Sequence, residues 1–186
     1  MKISHHDSLM KAELVNVEFW DLIKIRFPWL VLGLLGALVA SLLVSRFELS
    51  LREHIALAFF IPVIAYMSDA IGNQTETIFV RALSDLKFDV TKYILREFTV
   101  GAMVGFIMGG LSGFVAFLLS ESVEIGIVVG FALMLSMTIA TVLACTTPLL
   151  LKSLKKDPAV GSGPFTTALQ DIVSLAVYFI IASVVL

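Results

Sequence analysis

Five apolar runs dominate this chain of 186 residues. Each approaches or exceeds the ~20 residues an α-helix needs to cross the hydrocarbon of a bilayer. They cover residues 28–45, 53–84, 95–119, 124–151 and 164–186. Backbone polar groups find no water in lipid, so a spanning segment must satisfy them within itself, as a helix does. The composition agrees. Hydrophobic residues make up 59% and charged residues 15%, against roughly 25% charged in a soluble domain, and the mean hydropathy is +0.99. Too little polar surface exists to cover a water-soluble fold. The fold class expected is an all-α integral membrane protein with five transmembrane helices per protomer. An amphipathic helix over 10–26 is expected ahead of the first span, at the membrane surface or under the bundle. The domain division expected is a cytoplasmic N-terminus, 1–26, followed by the membrane domain, 27–186.

Other classes are excluded by what is missing. The net charge of −2 comes with no basic patch dense enough for nucleic acid. The single cysteine, Cys145, has no intrachain disulfide partner and sits in an apolar segment. Residues 1–26 are too polar for a secretory leader. Neither paired DxxD elements nor HExxH occur in the positions a membrane-embedded metal-dependent enzyme would need, so that reading ranks low. His5 and His6 are expected to be solvated on the terminus, and His54 to be interfacial.

Orientation follows from the basic residues. With the N-terminus in the cytoplasm, eleven of the thirteen lysines and arginines fall on inner segments, and only Arg46 and Arg52 fall outside. Cytoplasmic loops carry such an excess. The expectation is a multi-pass protein of the cell (inner) membrane, N-terminus in and C-terminus out. Pro28 is read as the first residue of the first span. In the third span Gly101, Gly105, Gly109, Gly110 and Gly113 form a small-residue ridge. Close helix packing within the chain is its preferred explanation, ahead of an oligomer seam.

Against this apolar background the second span carries "SDAIGNQTETIFVR", residues 68–81. Three carboxylates, Asp69, Glu76 and Asp171, are read as lying within spans. An ionised group there costs ~2.5–3.5 kcal/mol on the insertion scale, so it usually faces a pathway or a partner. No lysine or arginine lies deep in a span to neutralise them; Arg81 marks the cytoplasmic end of span two. A cation would supply the missing charge. Asp69, Asn73 and Glu76 recur at i, i+4 and i+7 and share a helix face, flanked by Gln74 and Thr77. Gly72 would let a ligand approach the backbone. In span five Thr167, Asp171, Ser174 and Tyr178 form a second stripe, with Gln170 adjacent. Carboxylate and hydroxyl oxygens suit hard divalent cations. A sodium- or proton-coupled exchanger that uses Asp69 and Glu76 for the second ion, and a subunit that only anchors partners, are the competing readings.

At this point the residues resemble a family, the transmembrane domain of the MgtE-type magnesium transporters, related to solute carrier family 41. "DPAVGSGPFTTALQD", 157–171, looks like the family's DPA…SGPF…T…D motif, and "RFPWL" from Arg26 resembles its first helix. In span two Gly72, Gln74 and Arg81 match the family pattern. Ser68 and Asp69 stand where it has glycines, Ala70 where it has asparagine, and Asn73 where it has threonine. The resemblance implies a homodimer with a pore on its axis, lined by helices two and five. It implies that Asp171 matches the pore aspartate that binds a largely hydrated Mg2+, and that the backbone at Thr167 lines that site. It implies pore-lining positions at Asp69 and Asn73, and no cofactor, Mg2+ being the cargo. Typical bacterial members carry cytosolic CBS domains ahead of the membrane domain. Their absence here is expected to mean either a truncated chain or one without that sensor, leaving the helix over 10–26 as the place for a cytoplasmic gate.

Overall fold

The computed structural model describes residues 18–85, 88–155 and 158–186. Among them are five long helices: α1 (Phe19–Ser45), α2 (Ala56–Asp85), α3 (Val90–Ser120), α4 (Val123–Ser153) and α5 (Pro158–Val185). All five contain a segment long and apolar enough to cross a membrane. One short helix, Glu48–Glu53, links α1 to α2 and carries an Arg52–Glu48 pair at 2.6 Å.

Four of the five helices begin earlier than their apolar runs, and α2 begins three residues later, at Ala56. A run of apolar residues marks where lipid must lie, whereas the hydrogen-bond ladder continues into polar sequence until a cap or a turn stops it. α3 opens at Asp89, whose carboxylate accepts from the Lys92 N–H at 3.1 Å. It ends at Glu121, which adopts the left-handed conformation with φ 55°. α4 opens at Ser122, whose hydroxyl accepts from the Ile125 N–H at 3.2 Å. Pro28 does not open α1 but lies inside it, and Pro164 lies inside α5. The first helix therefore runs unbroken from Phe19 across the expected surface segment into the span, while residues 10–17, like His5 and His6, lie outside the described residues.

α4 is the central helix, packed by α2, α3 and α5; α1 lies outermost and packs on α5. Where α3 meets α4 the backbones nearly touch. A Cβ on Gly109 would stand 2.4 Å from the Gly130 carbonyl oxygen, on Gly113 2.6 Å from that of Gly126, and on Gly105 2.8 Å from that of Met134. Small residues gain van der Waals contact where lipid tails offer no hydrophobic drive to associate. The ridge therefore serves packing within the chain. Gly110, by contrast, faces open space. α1 reaches α5 the same way, Gly36 lying against Ala168. Cys145 is buried and free. Near the start of α2 the Tyr178 hydroxyl donates to the Leu57 carbonyl at 2.9 Å, and Phe47 stacks on Phe179 with centroids 4.7 Å apart.

This packing separates neighbouring glycines. Gly109→Leu is expected to overpack the α3–α4 contact and cost about 1–3 kcal/mol, whereas Gly110→Leu should stay within about 0.5 kcal/mol of the parent. Thermal unfolding of the two variants in a mild detergent checks the contrast.

Candidate functional site

α2 and α5 run in opposite directions against each other, Asp69 meeting Thr167 and Leu57 meeting Tyr178. The polar stretch of α2 is thereby laid along the polar face of α5. The Thr167 hydroxyl donates to Asp69 Oδ1 at 2.8 Å, and Asn73 Nδ2 donates to Asp69 Oδ2 at 2.9 Å. Both oxygens of the Asp69 carboxylate are thus engaged. One turn further along α5, the Asp171 carboxylate accepts no hydrogen bond among the described residues. Asp171, Thr167, Ala168 and Pro164 line a cavity of about 360 Å3, closed on the other side by Leu30, Gly33, Leu34 and Ala37 of α1. None of the ion pairs among the described residues includes Asp69 or Asp171.

The expected stripe on α5 divides in depth. Thr167 and Asp171 are half-buried, but Ser174 and Tyr178, on the same face, are covered by α2 and α4. The Ser136 hydroxyl donates to the Ser174 carbonyl at 3.4 Å. The part of the face nearer the C-terminus is packing; the part around Thr167 and Asp171 is open. On α2, Asn73, Gln74 and Thr77 are exposed, Thr77 donating back to the Asn73 carbonyl at 2.7 Å. Glu76 is 94% buried (6% exposed), makes no ion pair with Arg81, and leaves Oε2 without a partner among the described residues. At Gly72 the group that approaches the backbone is the Gln170 side chain: a Cβ there would fall 1.9 Å from its Nε2. Gln170 Nε2 in turn donates to the Ala140 carbonyl at 3.1 Å, tying α2, α4 and α5 at one point.

A fourth intramembrane carboxylate, Glu97, falls inside the expected third span, 95–119, but is not among the three acids read as lying within spans. Because α3 begins at Val90, Glu97 lies two turns inside it and is buried. Its Oε2 accepts from the Thr75 hydroxyl at 3.2 Å and its Oε1 from Arg96 at 3.3 Å. The sequence holds a signal for it, since Glu97 stands four residues before Gly101 on the same ridge as Gly105, Gly109 and Gly113.

The sequence model of the MgtE family, described as divalent cation transporter, matches residues 61–181. This chain belongs to the MgtE family. It is 35% identical over 161 residues to the magnesium transporter MgtE of Bacillus subtilis, covering 85% of this chain and 36% of the relative. Against the magnesium transporter MgtE of Thermus thermophilus it is 32% identical over 187 residues, covering 96% of this chain and 39% of the relative. The chain thus spans under two-fifths of the length of these relatives. MgtE is a family of transporters, which removes the membrane-enzyme reading. Asp69, Asn73, Thr167 and Asp171 all fall within the matched segment.

The Asp69–Thr167 bond is the direct side-chain link between the two polar helices at the cavity. Thr167→Val is expected to leave a half-buried carboxylate oxygen unpaired and to cost about 1–3 kcal/mol. Thr167→Ser should restore most of it. Thermal unfolding of the pair in detergent provides the comparison.

Proposed function

We propose that this chain conducts a hard divalent cation, Mg2+ foremost, through a pathway lined by α2 and α5 at the axis of a homodimer. The observation that carries the reading is the state of Asp171. It is a half-buried carboxylate in a spanning helix, it accepts no hydrogen bond among the described residues, and it opens on a cavity beside a second, already engaged carboxylate. Mg2+ gives up water reluctantly and is commonly held by one or two carboxylates with several waters retained. One Asp171 from each of two protomers would balance the charge of one dication without a full protein cage. Consistent with a shared site, no group of three or more His, Cys, Asp or Glu side chains able to hold a metal occurs among the described residues of one chain.

The side chains then divide the work. Asp171 meets the hydrated ion. Thr167 and Asn73 hold Asp69 fixed, so that it adds negative potential and locks α2 to α5 without taking the ion itself. Gly72 and Gln170 set the close approach of the two helices. Gln74 and Thr77 face outward from α2 and would line the path nearer the cytoplasm. The excess of basic residues on one set of segments supports an N-terminus inside and a C-terminus outside. One observation favours a second reading, sodium-coupled exchange: Glu76 is a buried acid, two turns from Asp69, with an oxygen that has no partner among the described residues.

Flux into liposomes loaded with a magnesium-sensitive dye tests both readings. The parent chain should carry Mg2+, and Asp171→Ala should abolish the signal. Asp69→Asn, which acts one step from the ion, should weaken Mg2+ dependence about 10- to 100-fold. Full flux through Asp171→Ala would overturn the proposal, and a strict requirement for an opposing sodium gradient would favour the exchanger.

A further inference from the structure

On the side of α2 away from Asp69, a second hollow of about 410 Å3 lies between α2 and α3. These two helices touch at few points along their length, and the hollow fills the space between them. Its walls are almost entirely apolar, formed by Ile71 and Ile78 of α2, Val100 and Val104 of α3, and the flexible thioethers of Met67 and Met108. Polar character is confined to one zone, where Gln74, Thr75 and Glu97 reach the lining. An apolar hollow of this size with a few convergent polar groups is the usual form of a small-molecule site.

The Glu97 carboxylate gives that site a sign. It is 92% buried (8% exposed), yet it lines the hollow. Its hydrogen bond from Thr75 and its ion pair with Arg96, at 3.3 Å, leave lone pairs free on a group with about four acceptor positions. The Arg96 side chain does not fill the hollow: it is 66% exposed and lies over the Tyr93 ring, 4.8 Å from the centroid. Methionine side chains adapt to ligands of varied shape. We infer that the α2–α3 hollow binds a lipophilic organic ammonium, its apolar body among Ile71, Val104 and Met108 and its charged nitrogen on Glu97. Arg96 pairs with Glu97 through its exposed guanidinium, and a neutral apolar molecule or a lipid tail would leave the remaining acceptor positions of the carboxylate unused. An anion would be repelled. The hollow is separate from the Asp171 cavity, which α1 closes on the far side of α5.

The test uses the full chain in a neutral maltoside detergent and two probes of nearly equal shape, 2-phenylethylammonium and 2-phenylethanol. Binding to the folded state raises the unfolding temperature with ligand concentration. The ammonium should raise it and the alcohol should not. Glu97→Gln keeps an oxygen for Thr75 but removes the charge, and it should weaken the ammonium effect by about tenfold or more, the size of a 1.4 kcal/mol loss. Val104→Phe, which fills the hollow and leaves Glu97 in place, should abolish the shift and cover the case of a Glu97 variant that fails to fold. Equal shifts with ammonium and alcohol would overturn the inference, since the hollow would then take any apolar molecule. An ammonium shift unchanged in Val104→Phe would overturn it too, since the probe would bind elsewhere.

Discussion

A carboxylate between membrane helices must meet a donor, water or a cation, because lipid supplies none of these. Four intramembrane acids among the described residues meet that demand differently. Asp69 is held by Thr167 and Asn73, and Glu97 by Thr75 and Arg96. Glu76 is buried with one oxygen unpartnered among the described residues. Asp171 accepts no hydrogen bond among them and opens on a cavity. The arrangement of the bundle follows from keeping α2 and α5 together around these groups while α4 packs behind them.

That packing rests on close approach. Gly105, Gly109 and Gly113 bring α3 onto α4, Gly36 brings α1 onto α5, and Gly72 receives the Gln170 side chain. In lipid the gain comes from contact and from interhelical hydrogen bonds. The amide of Gln170 supplies one at the centre of three helices. The scaffold is therefore rigid where α2, α4 and α5 converge, and open where α1 and α5 leave a cavity over Asp171. Such a division suits a site that must hold an ion without trapping it.

Much of this was legible in the sequence, and the misses share a cause. The five spans, the packing glycines and the meeting of two polar helices follow from apolar run length and helical periodicity. Helix starts do not, because hydropathy reports lipid exposure whereas a helix ends at its cap. Starting span three at residue 95 left Glu97 at an apparent edge, although Val90 is where α3 begins. Periodicity also assigns a face without its depth. Ser174 and Tyr178 share a face with Asp171, but only the packed partner decides that they are buried. Gly72 shows the same limit: its lack of a side chain announced a close approach, and the approaching group proved to be Gln170.

The central claim is that Asp171 from two protomers shares one hydrated dication. The amount of Mg2+ bound per chain by the purified protein, measured by equilibrium titration in detergent with and without Asp171→Asn, tests it most directly. The account predicts that the binding lost in the variant amounts to one ion for every two chains. An Asp171-dependent component of one ion per chain, or none at all, would contradict it.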